Sequence, residues 1–488
     1  MTHPFQELVL DIRRRPNAIS ASAYDMAWLA WLMPAARDWL CDAQRPDGSW
    51  GAELEYYHDR VVCTLAAVNA LAATSANGHD LQRIQRGIRY LETAALRLPE
   101  DPTDTVGFEL LAPSLVGIGQ GLGLELDEVA RALEPYQAIY RQKLALIPPQ
   151  MLYSPRATVA HSIEFIGFGR LDRAAIAPLR MANGSIHCSP AATAFCQVAG
   201  AGSAAGQDYL SATMEYGRGG LPTLAPFELF EIIWSLLHLY IAGGLAGVQR
   251  DVQPLMDRMQ AAWGLEGIGL AEGFPPDFDN TASAYMLLAA LGRAPDPAVF
   301  KAYEEDDHFR CYPYERNISL DVHIHLVMAL RRAPDFPGND DMLLKAIHIL
   351  SRHLQSECIT DKWHVSPYYS TAHAVIALSG LVADSLIADQ IGWLCRTQQA
   401  DGRWTAYPHF PPAAVEETAH ALLALLVVQK HKGSIPHPII QRGMAYLKTH
   451  YRDHQALPAL WVGKGLYHPL HITRSIFLAA FALYEELY

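Results

Sequence analysis

The sequence predicts an all-α protein made of two (α/α) barrel domains, and three observations carry that prediction. Apolar runs of helical length recur along the chain, among them Val61 to Ala73, Ile232 to Tyr240, Ala284 to Leu291 and Ala419 to Val428. Gly- and Pro-rich turns such as Gly217-Arg218-Gly219-Gly220 and Pro411-Pro412 separate them, and no stretch alternates as strands do. The chain also repeats itself at long range. Trp39-Leu40, Gln44, Gly48 and Trp50 return with identical spacing as Trp393-Leu394, Gln398, Gly402 and Trp404. Downstream, Arg86-Gly87-x-x-Tyr90-Leu91 returns as Arg442-Gly443-x-x-Tyr446-Leu447. Such repeats mean one supersecondary unit used again. Roughly twenty short helices with repeat marks in both halves give two barrels of helical hairpins, with a domain boundary near Gly243 to Gly247.

The first repeated element is a helix carrying Trp-Leu and Gln, closed by a Gly turn and a second Trp. The indole is expected to pack against the glutamine of that helix, which makes the element a staple and not a site. The apolar run Ile232 to Val248 is broken by Ser235, His238 and Gly243-Gly244, so it reads as a buried core helix and not a membrane span.

Composition sets the remaining bounds. The 488 residues can bury a large core. A net charge of −13 with no long Lys/Arg block argues against nucleic acid as a partner. Seven scattered cysteines, never spaced Cys-x-x-Cys, fit free thiols in a reducing compartment and exclude a zinc ribbon. Met1-Thr2-His3-Pro4 opens an amphipathic segment, not a signal peptide, so a soluble cytoplasmic protein with at most peripheral membrane contact is expected.

The chemistry centres on Asp277-Phe278-Asp279-Asn280-Thr281-Ala282, where a Gly- and Pro-rich loop enters an apolar run. Protonating a carbon–carbon double bond requires a carboxylic acid that is neutral when the substrate arrives. Burial and a neighbouring like charge both raise a carboxyl pKa. A close Asp pair in an aromatic-rich setting supplies both conditions, although the same pattern also describes a helix N-cap.

Taken together, these marks resemble the class II (protonation-initiated) terpene cyclases. Ser22-Ala23-Tyr24-Asp25-Met26-Ala27-Trp28 looks like that family's Ser-Ala-Tyr-Asp-Thr-Ala-Trp signature with Met26 in place of Thr. Gln44-Arg45-Pro46-Asp47-Gly48-Ser49-Trp50, Val106-Gly107-Phe108-Glu109, Asn183-Gly184-Ser185 with Ser189-Pro190, Asp361-Lys362-Trp363 and Leu460 to Tyr467 follow in family order. Bacterial halimadienyl diphosphate synthase-like enzymes are nearest in appearance. The resemblance implies the βγ didomain architecture. Residues 1–20 and 245–488 would form the β domain with the acid motif, and residues 21–244 an inserted γ domain.

The family's acid motif is Asp-x-Asp-Asp-Thr-Ala, whose middle Asp donates the proton. That role maps onto Asp279, with Asp277 raising and orienting it and Asn280 standing where the pattern has Asp. The segment His323-Ile324-His325 supplies a polar partner to the acid, with His325 favoured; a satisfied core histidine is the other reading. Tyr467 is expected to join His325 near the terminating proton. Lys362 and Lys464 are candidate diphosphate ligands, with Arg310 and Arg316 as looser ones, and Trp363, Tyr285 and Trp234 are candidate cavity walls that stabilise a carbocation through their ring faces. Glu109 is the candidate ligand for Mg²⁺.

No Asp-Asp-x-x-Asp motif is present, and Glu304-Glu305-Asp306-Asp307 has the wrong spacing for one. The diphosphate should therefore survive, giving a bicyclic labdane-, halimane- or clerodane-type diterpenyl diphosphate from geranylgeranyl diphosphate. A downstream class I terpene synthase or phosphatase would consume it, and the enzyme would be a monomer or homodimer. Farnesyl diphosphate giving a drimane-type product, or a squalene–hopene-like cyclase, are the alternatives. A prenyltransferase β-subunit, an α-barrel glycoside hydrolase and a non-catalytic scaffold are the readings further off.

Overall fold

The computed structural model describes residues 4–74, 78–217, 219–313, 315, 318–382 and 384–488. Arg316 lies outside them. The chain divides into two compact units. Unit 1 holds Met1–Ala18, Phe227–Leu457 and Pro469–Tyr488, and unit 2 holds Ile19–Pro226 and Pro458–His468.

Unit 1 is an (α/α) barrel. Its inner ring runs through the helices Glu228–Ile241, Phe278–Ala290, Leu320–Leu330, Pro367–Leu378, Ala414–Lys432 and Leu470–Leu487, each packed on the next and the last on the first. The inner helices are apolar all round because neighbours cover them on every side. Ala414–Lys432 is buried from Ala414 to Val428. The stretch Pro411–Lys432 is long and apolar enough to cross a membrane, yet 89% of its apolar 18-residue window is buried inside the protein, as a barrel-core helix would be. The amphipathic helices Gln249–Ala262, Asn339–His353, Ala388–Arg396 and His437–His450 alternate with the inner ones along the chain and bury one face each.

In unit 2 the helices Ala23–Ala30, Tyr57–Thr74 and Phe108–Gly121, the 3₁₀ segment Thr158–Ile166 and the helix Pro190–Val198 also pack in a closed ring. The only strands among the described residues are Trp461–Val462 and Leu466–Tyr467. They form a two-residue antiparallel hairpin that pairs Trp461 with Tyr467.

The unit boundary differs from the expected one at residues 244–245. The helix Glu228–Ile241 closes the unit 1 ring between Phe278–Ala290 and Leu470–Leu487, so it belongs with the acid motif. Gly243-Gly244 is a turn within one barrel and not a domain edge. Gly243 has φ +73°, and a Cβ on Gly244 would lie 2.1 Å from the Phe5 ring. Residues 458–468 also fall in unit 2, outside the span expected of them.

The repeated motif is the same device in both units. The indole N–H of Trp50 donates to the Leu40 carbonyl at 2.7 Å and that of Trp404 to the Leu394 carbonyl at 2.6 Å. The glutamine clamps the turn. Gln44 Nε2 donates to the Gly48 and Arg83 carbonyls, and Gln398 Nε2 to those of Gly402 and Ile439. Gly48 and Gly402 sit at φ +97° and +95°, where a side chain is strained and a Cβ would strike the Arg86 or Arg442 carbonyl. The second repeated glycine lets the indole lie against a helix backbone. A Cβ on Gly443 would be 2.7 Å from Cζ3 of Trp404. Alanine ordinarily stabilises a helix interior over glycine by about 1 kcal/mol. Gly443→Ala is nevertheless expected to lower stability by about 1–3 kcal/mol through overpacking, read as a fall in melting temperature.

Candidate active site

The acid segment opens an inner helix of unit 1. Asp277 is the N-cap of Phe278–Ala290, accepting from the Asn280 backbone N–H at 2.8 Å and from Asn280 Nδ2 at 2.7 Å. The N-cap reading of Asp277 thus holds, and the cap builds the turn that carries Asp279. Asn280 ties Asp277 down where a carboxylate would repel it. Burial pushes the Asp277 carboxyl up to about 7, against the pull of the two Asn280 hydrogen bonds. Its folded pKa thus lies above the unfolded value of 3.8. The stability it contributes is complete below about pH 4 and is lost as pH rises through about 7. Asp277→Asn keeps a good N-cap and removes that loss. The variant is expected to gain melting temperature relative to the parent between pH 5 and pH 8.

Asp279 occupies the first turn of the same helix, 8% exposed. Its Oδ1 lies 2.7 Å from Nδ1 of His325, and Nε2 of His325 lies 3.1 Å from Nδ1 of His373. Each residue comes from a successive inner helix, Phe278–Ala290, Leu320–Leu330 and Pro367–Leu378. The choice between the two histidines of His323-Ile324-His325 is therefore settled. His323 is a satisfied core histidine, bonded to the Ser319 carbonyl at 2.7 Å and to the Phe309 N–H at 3.1 Å, and burial lowers it to about 4.

Trp234 closes over this chain, its ring edge-on to His325 at 4.7 Å and tilted to His373 at 6.4 Å. Tyr369 stacks on His373 at 4.4 Å. Asp321 precedes His325 by one helical turn and is a buried third carboxyl. Burial and the neighbouring Asp361 hold it well above the ordinary carboxylate range. His373 and Asp321 belong to no family-like segment and are visible only in the structure.

Several expected site residues stand elsewhere. Tyr285 follows Asp279 by six residues, which turns it about 240° around the helix, and it packs edge-on against Phe300 at 4.9 Å. It is core packing between that helix and the 3₁₀ segment Pro297–Tyr303. Lys464 is 1% exposed in unit 2, paired with Glu164 at 2.6 Å and donating to Ser189 Oγ at 2.7 Å. It locks a buried network instead of offering a charge to phosphate. Tyr24, from the Ser-Ala-Tyr-Asp segment, donates to the same Glu164 at 3.0 Å. Tyr467 is buried in unit 2, and burial raises its phenol.

Lys362 pairs with Glu315 and lies 5.0 Å above the Trp363 ring, so the two residues act as one cation–aromatic unit. Glu315 lines a charged cleft of about 410 Å³ with Glu305, His308, Arg310 and Pro313. The acidic run behaves as a paired surface, with Lys345 on Glu304 at 2.6 Å and Arg310 on Glu305.

Glu109 opens the helix Phe108–Gly121 and pairs with Lys143. That carboxylate is already neutralised by the lysine, so Mg²⁺ would have to displace Lys143 to bind there. Among the described residues the one group of three metal-ligating side chains is His364, Glu416 and His420. It is not set for a metal. The Ser366 N–H donates to Nδ1 of His364 at 3.1 Å, which makes Nε2 the protonated end, so a proton and not a lone pair faces Glu416 at 3.4 Å.

This geometry is that of a buried acid held by a histidine chain at the mouth of a helical barrel. No family profile matches the chain. A type B diterpene cyclase of Mycobacterium tuberculosis is 32% identical to it over 495 residues, which span 96% of this chain and 97% of that one. The chain belongs to the class II diterpene cyclases. A chloroplastic syn-copalyl diphosphate synthase of Oryza sativa subsp. japonica is 33% identical over 71% of the cyclase and 47% of its own length, so the cyclase spans about half of that plant relative. The solved ent-copalyl diphosphate synthase from Streptomyces platensis superposes with a TM-score of 0.80 at 28% identity, covering 98% of each chain. The two-barrel all-α expectation holds for the cyclase, with the boundary moved as described.

Proposed function

We propose that the cyclase protonates the terminal alkene of geranylgeranyl diphosphate and closes it to a bicyclic diterpenyl diphosphate with the diphosphate retained. The single observation that carries this reading is Asp279, a buried carboxyl bonded to His325 at the N-terminus of a barrel helix. The positive helix end and the His325 hydrogen bond both meet the negative charge left on Asp279 after proton transfer. Trp234 packs 4.7 Å from His325 and would stabilise a cation through its ring face. Successive alkenes then capture the cation, and loss of a proton ends the cascade. The Lys362–Trp363 unit is the diphosphate anchor of this reading. Glu109 would hold Mg²⁺ carried on the diphosphate once Lys143 is displaced, screening its charge.

The test is incubation with geranylgeranyl diphosphate and, separately, farnesyl diphosphate, with Mg²⁺ or with EDTA. Products are dephosphorylated and identified by mass spectrometry. A bicyclic C20 alcohol from the first substrate is expected, in lower yield with EDTA. A drimane-type alcohol from the second alone would move the substrate to C15, and no product from either would overturn the reading.

A further inference from the structure

The hydrogen-bond chain Asp279–His325–His373 has a direction, and the direction decides which oxygen of the acid carries the proton. A neutral imidazole has one N–H and one bare nitrogen. His373 is fully buried, and its burial together with the neighbouring His325 and His238 holds it well below the ordinary histidine value, so it is neutral. Its Nδ1 meets His325, and its Nε2 meets no hydrogen-bond partner among the described residues. An orphaned buried N–H is rarer than an orphaned acceptor. The proton of His373 therefore sits on Nδ1 and is donated to Nε2 of His325. That nitrogen, now an acceptor, leaves the His325 proton on Nδ1, where it is donated to Oδ1 of Asp279.

Resting on the reading of Asp279 as the acid, we propose that His373 is a positioning residue that fixes the tautomer of His325. It thereby places the transferable proton of Asp279 on Oδ2. With the opposite tautomer, Asp279 would donate its proton to His325 Nδ1 and withhold it from the alkene. Nothing in the chain leaves or enters during the transfer. The Oδ2–H bond breaks, the alkene carbon gains the proton, and the electron pair stays on Asp279, whose new charge is met by the His325 N–H.

His373→Phe keeps the ring that stacks on Tyr369 and removes the donor, while His373→Asn restores an N–H where Nδ1 stands. The expected result is a kcat lowered about 100-fold in His373→Phe with KM unchanged, recovered at least tenfold in His373→Asn. Independently of turnover, ¹⁵N-histidine spectra of the parent should show His325 as the Nδ1–H tautomer, assigned by its loss in His325→Phe. They should show the shift to Nε2–H in His373→Phe. Parent-like kcat in His373→Phe, or an Nε2–H tautomer in the parent, overturns the proposal. Full activity of Asp279→Asn would instead overturn the acid assignment, so the two failures are distinct.

Discussion

Asp279→Asn is expected to lower cyclisation by at least about 10³-fold, within the range lost with a positioned general acid, while the fold stays intact. The amide keeps an oxygen for the His325 N–H and fits the same space, so the variant is expected to fold and to melt as a cooperative unit like the parent. What it lacks is a proton acidic enough for an alkene. No neighbour can stand in. The Asp277 carboxylate is occupied by both N–H groups of Asn280, and Asp321 lies on the next inner helix, one turn before His325. Product formation by the variant at the parent rate, measured by mass spectrometry after dephosphorylation, would move the acid to another carboxyl. Asn280→Asp sharpens the comparison. It sets two carboxyls against each other where Asn280 now donates to Asp277, so one of them must hold a proton. That variant should retain activity and lose stability more steeply than the parent as pH rises.

The acid motif and the repeated Trp staples were legible because each depends on a local spacing that the fold keeps. The histidine chain was not, although a signal existed. Asp279, His325 and His373 are separated by 46 and 48 residues, and His420 follows at a similar interval. That interval is one helical hairpin, so each residue reaches the same level of the barrel from successive inner helices. The period becomes readable only once the ring is known to close. Tyr285 is not legible as core, because an aromatic near the acid in sequence can stand on another face of its helix. The unit boundary is not legible, because two glycines mark a turn equally well inside a barrel and between barrels. Lys464 shows the hardest case. Gly-Lys-Gly in a loop invites a phosphate, and nothing in its spacing reveals a glutamate 300 residues away in sequence.

That ion pair sets the largest stability effect. Lys464 and Glu164 are both fully shielded from solvent, with side-chain exposures of 0%. Lys464→Met leaves Glu164 buried without its cation, which is expected to cost about 3–5 kcal/mol. Adding Glu164→Gln should recover most of that, since the uncompensated charge is gone and an amide oxygen still accepts from Tyr24. The loss should also deepen with pH. Burial already raises the Asp25 carboxyl to about 7 against the pull of Lys464, and removing the lysine lets it rise further. A group raised in the folded state loses its stabilising contribution as pH climbs through that value. Unit 2 of the single variant should therefore melt progressively earlier than unit 2 of the parent as pH rises above about 7. If Lys464 served the diphosphate instead, its methionine variant would melt like the parent and raise KM alone. The thermal scan and the KM thus point in opposite directions for the two roles.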